Sequence, residues 1–161
     1  MTADQQQDQE LSDLYRELIL DHARNPRHFG KLPDATHFAE GINPLCGDKL
    51  KMYFVIDSAG CISQARFEGS GCAISVASAS LLTDSVVGKN TDFARDYLSA
   101  VISLLSDDAG LPDDIERRFE MGKLKALEGV KQFPSRVKCA TLAWHALDSA
   151  LQNDKKPATT E

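Results

Sequence analysis

The sequence predicts an α+β fold: a small antiparallel sheet of about three strands with helices packed on one face. Three observations point there. Leu50, Met52, Phe54 and Ile56 alternate with polar or smaller residues, Asp57-Ser58-Ala59-Gly60 supplies a turn, and Ile62 to Glu68 resumes the alternation, which is the pattern of a β-hairpin. Leu11, Leu14, Tyr15, Leu18, Ile19 and His22 recur at helical spacing ahead of it. After the hairpin, Cys72 to Leu82 is rich in Ala and Ser, as in a helix that packs closely on a sheet.

Taken in order, residues 1–10 are polar and expected to be disordered, residues 11–153 form a single domain, and the polar stretch 154–161 is a disordered tail. The first helix ends near Asn25-Pro26, and Pro26, Gly30 and Pro33 mark a long connection after it. Thr36 to Asn43 reads as a short strand. In the hairpin, apolar faces meet only if paired residue numbers sum to about 117 to 119, because a one-residue slip turns one face outward. Extended past the strand ends, that register sets Cys46 to Asp48 opposite residues near Cys72. A helix follows over Thr91 to Leu105, capped by Asn90 or Thr91. Asp107 to Asp114 is a loop, Leu124 to Val130 a short helix, and the last helix follows Phe133-Pro134-Ser135, with Ser135 as its N-cap.

The 161 residues are 42% hydrophobic, enough for one buried core. With 24 acidic and 18 basic side chains the formal charge is −6, so no general attraction to nucleic acid or anionic lipid operates. No apolar run has the length of a membrane span, and the N-terminus is acidic and Gln-rich, unlike a secretion signal. A cytoplasmic protein is expected, and in that compartment thiols stay reduced.

The four cysteines are therefore metal ligands, nucleophiles or core residues. Cys46 lies in Asn43-Pro44-Leu45-Cys46-Gly47-Asp48, where Pro44 and Gly47 mark a turn and Asp48 stands two residues from the thiol, so both reach one ion. Cys72 follows Gly69-Ser70-Gly71 at a helix start, and Cys139 is expected in the first turn of the last helix. Both positions lower a thiol pKa through the positive helix end. Cys46, Asp48, Cys72 and Cys139 make a four-donor set suited to tetrahedral zinc and equally to a small iron–sulfur cluster. The competing reading is ordinary burial, which Cys61, alone at a hairpin end, fits best. His22 and His145 continue apolar stripes and read as packing residues, while His28 and His37 fall in the ambiguous connection. Arg136 and Lys138 flank Cys139 at the unfavourable end of a helix dipole. Lys138 there can stabilise a thiolate, and Arg136 can pair with an acid such as Asp48 or one on a partner, or both are solvated surface charges. Gly69-Ser70-Gly71 lacks a complete dinucleotide fingerprint and a following Lys-Ser/Thr, which argues against nucleotide binding.

These segments resemble the U-type iron–sulfur assembly scaffold family, in particular its SufU branch. The resemblance rests on Leu14-Tyr15-Arg16, Asp21-His22, Asn25-Pro26, the segments around Cys46 and Cys72, and Arg136-Val137-Lys138-Cys139-Ala140-Thr141-Leu142-Ala143-Trp144. In the related IscU scaffolds a histidine precedes the third cysteine; here Lys138 stands there, and the stretch before it is longer, which is SufU-like. The resemblance implies a SufE/IscU-like α+β fold and a zinc-bearing sulfur acceptor, ligated by Cys46, Asp48, Cys72 and Cys139. Such a protein takes persulfide sulfur from a SufS-type cysteine desulfurase and passes it to downstream iron–sulfur assembly proteins, a sulfurtransferase-like relay. The alternative is a scaffold that builds a transient [2Fe–2S] cluster on the same donors. The resemblance also points to Cys46 as the acceptor, and Cys46 is the cysteine between a proline and a glycine that a loop can release; the alternative is that Cys139, beside Lys138, receives sulfur first.

Overall fold

A computed structural model describes residues 2–106, 111–119, 121–153 and 158–159. The elements run α1 (Ala3–Arg24), β1 (His37–Asn43), β2 (Asp48–Ile56), β3 (Ile62–Ser70), α2 (Ala73–Val86), α3 (Thr91–Ser106), α4 (Asp113–Phe119), a 3₁₀ helix (Leu124–Gln132), α5 (Pro134–Leu151) and β4 (Ala158–Thr159).

The hairpin holds the expected register. Paired numbers sum to 119 from Lys49↔Ser70 to Val55↔Gln64 and to 118 at Ile56↔Ile62, where the ladder shifts. Met52 thus faces Phe67 and Phe54 faces Ala65, and all four are buried. β1 pairs antiparallel with β2 from His37↔Phe54 to Asn43↔Asp48. On the sheet's other face Lys49 and Lys51 are exposed, so the helices cover one side only. Helices α2 and α5 pack there with Trp144 between them; its indole N–H donates to Ser78 Oγ at 2.9 Å, and Ser78 donates to the Ala140 carbonyl at 2.5 Å. Two polar atoms in the core are thereby satisfied. Ala77, Ser78, Ala79 and Ser80 are fully buried, and their small size lets α2 approach the sheet.

The ends of the chain depart from expectation. The helix begins at Ala3, not near Leu11, because Thr2 and Gln5 form a capping box: Gln5 N donates to Thr2 Oγ1 at 3.2 Å and Thr2 N to Gln5 Oε1 at 3.0 Å. The disorder expected for residues 1–10 therefore does not hold from Ala3 onward. The tail supplies a fourth strand, since Ala158 and Thr159 pair in parallel with Gly41 and Ile42, giving the order β3-β2-β1-β4. The rest of the expected disordered tail, 154–157 and 160–161, lies outside the described residues. The opposite edge is covered too. His28 and Gly30 in the long connection bracket Phe67, with Gly30 N donating to Phe67 O and Phe67 N to His28 O, so β3 offers less open edge to another chain.

Residues 107–110 of the expected loop are not among those described; beyond them Asp113–Phe119 is helical where a loop was expected to Asp114. Asn90 caps α3 through Oδ1, which accepts from Phe93 N at 2.7 Å. At α5 the N-cap is Phe133, with no side-chain cap, and Pro134 takes the first helical position, its fixed φ suited to that place. Ser135 is therefore inside the helix and not its cap. Among the described residues no helix is long and apolar enough to cross a membrane.

Candidate metal centre

Three segments converge at one end of the sheet. Asn43↔Asp48 is the last pair of the β1–β2 ladder, and Pro44 to Gly47 form the four-residue turn beyond it, closed by Gly47 at φ +72°. Cys46 sits exposed in that turn, while Asp48 is fully buried at its base. Across the sheet, Ser70 pairs with Lys49, so the chain leaves β3 beside Asp48 and enters α2 at once. Cys72 is the N-cap of α2: its Sγ accepts from Ser75 N at 3.5 Å, and its own N–H donates to Asp48 Oδ1 at 2.8 Å. From behind, α5 delivers Cys139, also fully buried.

The Gly69-Ser70-Gly71 run exists for close approach. A Cβ on Gly69 would lie 2.1 Å from the Lys49 carbonyl oxygen, and one on Gly71 would lie 2.4 Å from Asp48 Oδ1. Neither position tolerates a side chain without displacing what it faces. The glycines let β3 and its exit pass over the carboxylate.

The potential ligand atoms of Cys46, Asp48 and Cys139 lie within 4.8 Å of one another, and the two sulfurs are 3.4 Å apart. Cys72 falls outside that trio by ligand-atom distance but is tied to it through its backbone bond to Asp48. It also acts on Cys139. Burial pushes the Cys139 thiol well above its ordinary pKa, and the neighbouring Cys46, Asp48 and Cys72 push it further in the same direction. This corrects the expectation of a first-turn, pKa-lowered Cys139: α5 starts at Pro134, so Cys139 is in the second turn, its Sγ directed back to the Ser135 carbonyl at 3.5 Å. The helix-start expectation holds for Cys72.

The donor set fits a divalent cation on physical grounds. Asp48 is buried, and its oxygens accept from Asn43 Nδ2 and Cys72 N, with no ion pair among the described residues. A buried carboxylate beside close-set thiols is costly without a positive partner. Asn43 Oδ1 and Ser75 Oγ, each on a residue bonded to a member of this cluster, are buried with no hydrogen-bond partner among the described residues. Sulfur and carboxylate donors at this spacing are what zinc or an iron–sulfur unit binds, and deprotonated cysteines would bind either.

The NifU-like N terminal domain matches residues 14–140. The chain belongs to this family. It is 38% identical over 145 residues to the zinc-dependent sulfurtransferase SufU of Bacillus subtilis, covering 90% of this chain and 94% of that one. It is 37% identical over 147 residues to the iron–sulfur cluster assembly scaffold protein IscU of Thermotoga maritima, covering 89% and 96%. Among solved structures, a SUF-system assembly scaffold from Fervidobacterium islandicum superposes with a TM-score of 0.74 at 31% identity, covering 84% of this chain and 94% of that one. The N-terminal part of a NifU-like protein from Brucella abortus, 23% identical, shares the fold with a TM-score of 0.75, covering 89% and 96%.

Other residues singled out in this NifU-like chain fall where packing puts them. Cys61 sits at the far end of the β2–β3 hairpin, just before β3 and bridged to Asn90, with the whole of β2 from Asp48 to Ile56, roughly 27 Å in an extended strand, between it and the cluster. His22 is buried, with Nδ1 2.7 Å from Ser80 Oγ; His28 lies 3.7 Å from Asp84, and His37 is bonded to Thr36. Arg136 is exposed and Lys138 half-buried on α5. Arg136 and Asp48 form no ion pair among the described residues: Arg136 is exposed on α5 and Asp48 is fully buried. Sequence reasoning missed Asn43, Gly71 and Ser75. The signal available was their adjacency to the Pro-Leu-Cys-Gly-Asp and Gly-Cys segments.

Proposed function

We propose that this protein binds one zinc ion through Cys46, Asp48, Cys72 and Cys139 and uses Cys46 to take sulfur from the persulfide of a SufS-type cysteine desulfurase, in the cytosol. The supporting observation is the meeting of Cys46, Asp48 and Cys139 within 4.8 Å, with Cys72 bonded to the same aspartate. The family relatives named as a zinc-dependent sulfurtransferase and as assembly scaffolds support the same reading. Bound zinc would keep the thiols deprotonated and hold them in place.

The chain's own residues then divide the work. Asp48, Cys72 and Cys139 anchor the centre from the sheet and two helices. Cys46, exposed in its four-residue turn, moves toward an incoming partner, and Gly47 at positive φ gives the turn its hinge. The Cys46 thiolate attacks the outer sulfur of the desulfurase persulfide; a new S–S bond forms at Cys46, the donor's S–S bond breaks, and its electron pair leaves with the donor thiolate. No external oxidant is needed. Exposed Leu45 and Phe133 give the partner apolar contacts at the turn and at the start of α5, and Arg136 adds a positive charge on the same helix.

The same donors suit a transient [2Fe–2S] cluster, the second reading, which the scaffold relatives favour. Metal analysis with desulfurase turnover separates the two. Colourless protein with about one zinc per chain that accelerates cysteine turnover supports the relay. Brown, iron-bearing protein that leaves turnover unchanged refutes it.

A further inference from the structure

Asn43 ends β1 opposite Asp48 and is 1% exposed. Its side-chain N–H₂ is shared: Nδ2 lies 3.2 Å from Asp48 Oδ2 and 3.4 Å from Cys139 Sγ. The other end of the amide, Oδ1, is buried with no hydrogen-bond partner among the described residues. Turning the amide over would set Oδ1 against a carboxylate, acceptor against acceptor, so the donor end belongs at Asp48. A buried orphan carbonyl weakens a fold. Its presence makes sense where the donor end does something packing alone does not need.

What the donor end does differs between the two close sulfurs. Cys139 is buried, holds Asn43 Nδ2 on one side and faces the Ser135 carbonyl on another. Cys46 is exposed in a turn, and its Sγ contacts the Cys139 thiol with no N–H donor among the described residues. An N–H directed at a thiolate withdraws charge from sulfur and makes it a poorer nucleophile, while fixing it as a ligand. Resting on the sulfur-acceptor reading, we infer that Asn43 is the positioning residue that makes these two thiols unequal. Its amide locks Asp48 and quiets Cys139, which leaves Cys46 as the sulfur that departs and reacts.

The test compares wild-type protein with Asn43→Leu, which keeps the branching and the number of heavy atoms but has no donor, and with Asn43→Ala. Each zinc-loaded protein is treated with limiting iodoacetamide, and the modified cysteines are quantified by peptide mass spectrometry. Zinc affinity is measured against a chromophoric chelator, and the sulfur-to-metal absorption of the cobalt-substituted protein is recorded. Wild type is modified first at Cys46. In Asn43→Leu the Cys139-to-Cys46 ratio rises about tenfold, zinc affinity falls about 10- to 100-fold, the scale seen when a ligand's outer partner is lost, and the cobalt band shifts. The metal-free Asn43→Leu protein melts below wild type, because Asp48 Oδ2 loses its donor, a loss that removal of the orphan carbonyl offsets only in part. A wild-type modification ratio and zinc affinity in Asn43→Leu would overturn the inference, and so would a lowered metal-free melting temperature with an unchanged ratio, which marks a packing role. Wild-type protein is assayed in parallel for sulfur uptake from a desulfurase. If it takes none, the sulfur-acceptor reading fails; if it does and Asn43→Leu matches it in every readout, only the role of Asn43 fails.

Discussion

Replacing Gly71 with alanine adds one methyl group at the point where the chain crosses Asp48. The new Cβ would lie 2.4 Å from Asp48 Oδ1, 3.0 Å from its Cγ and 3.1 Å from its Cβ. Van der Waals separations are longer, so the carboxylate must retreat by roughly 1 Å. It has little room, being fully buried and bonded to Asn43 on its other oxygen. The 2.8 Å hydrogen bond from Cys72 N to Oδ1 is the first to break. A hydrogen bond to a charged group is worth about 1.5–3 kcal/mol. In a chain of this size that lowers the melting temperature by about 3–12 °C, from about 2–4 °C per kcal/mol. Zinc affinity falls as well, because Asp48 and Cys72 are then held apart. The assay is a thermal melt of metal-free and zinc-loaded protein with a chelator competition, run on Gly71→Ala, Asp48→Ala and the double variant. The methyl acts through the carboxylate, so it costs much less in the Asp48→Ala background. Wild-type melting and zinc affinity in Gly71→Ala, or an equal loss with and without the Asp48 carboxylate, would refute the packing argument.

Further outcomes follow from the same geometry. Cys61→Ala retains zinc at about one per chain, whereas Cys72→Ala loses it, as metal analysis of the purified variants checks. His22, depressed below its ordinary pKa by burial first and by Arg27 next, is neutral in the fold. The unfolded chain binds the proton at about 6.5, so stability of the metal-free protein is full above that pH and falls as pH drops toward the folded-state pKa, by up to about 1.4 kcal/mol per pH unit. His22→Gln flattens that slope in denaturant titrations between pH 7 and 5; an unchanged slope contradicts a neutral buried His22. Arg136→Ala, exposed and unpaired with Asp48, keeps its zinc and weakens stimulation of the desulfurase several-fold; full stimulation shows that the charge is not used.

Hairpin register, helix order and the approach of Cys72 to Asp48 were legible because they depend on local alternation and turn residues. Met52 opposite Phe67 follows from a period of two and a fixed turn. The capping box at Thr2 and Gln5 was equally local, but the polar run around it carried no apolar stripe to announce a helix. The depth of Cys139 was not legible, since Phe133 caps α5 without a side-chain bond and Pro134 sets the start one residue before the serine that looks like a cap. Asn43 and Gly71 were hidden for a different reason. Asn43 meets a sulfur 96 residues away, and Gly71 matters only through the atom it lets pass. Pairing of Ala158 with Gly41 likewise depends on where α5 ends and carries no strand pattern of its own.

The central claim, that sulfur enters through Cys46, is tested most directly by persulfide mapping. Zinc-loaded protein is mixed with a SufS-type desulfurase and cysteine, persulfides are trapped by alkylation, and the added sulfur is located by mass spectrometry. The account predicts extra sulfur on Cys46 in wild type and none on any cysteine in Cys46→Ser. Sulfur on Cys139 that still forms in Cys46→Ser would contradict it.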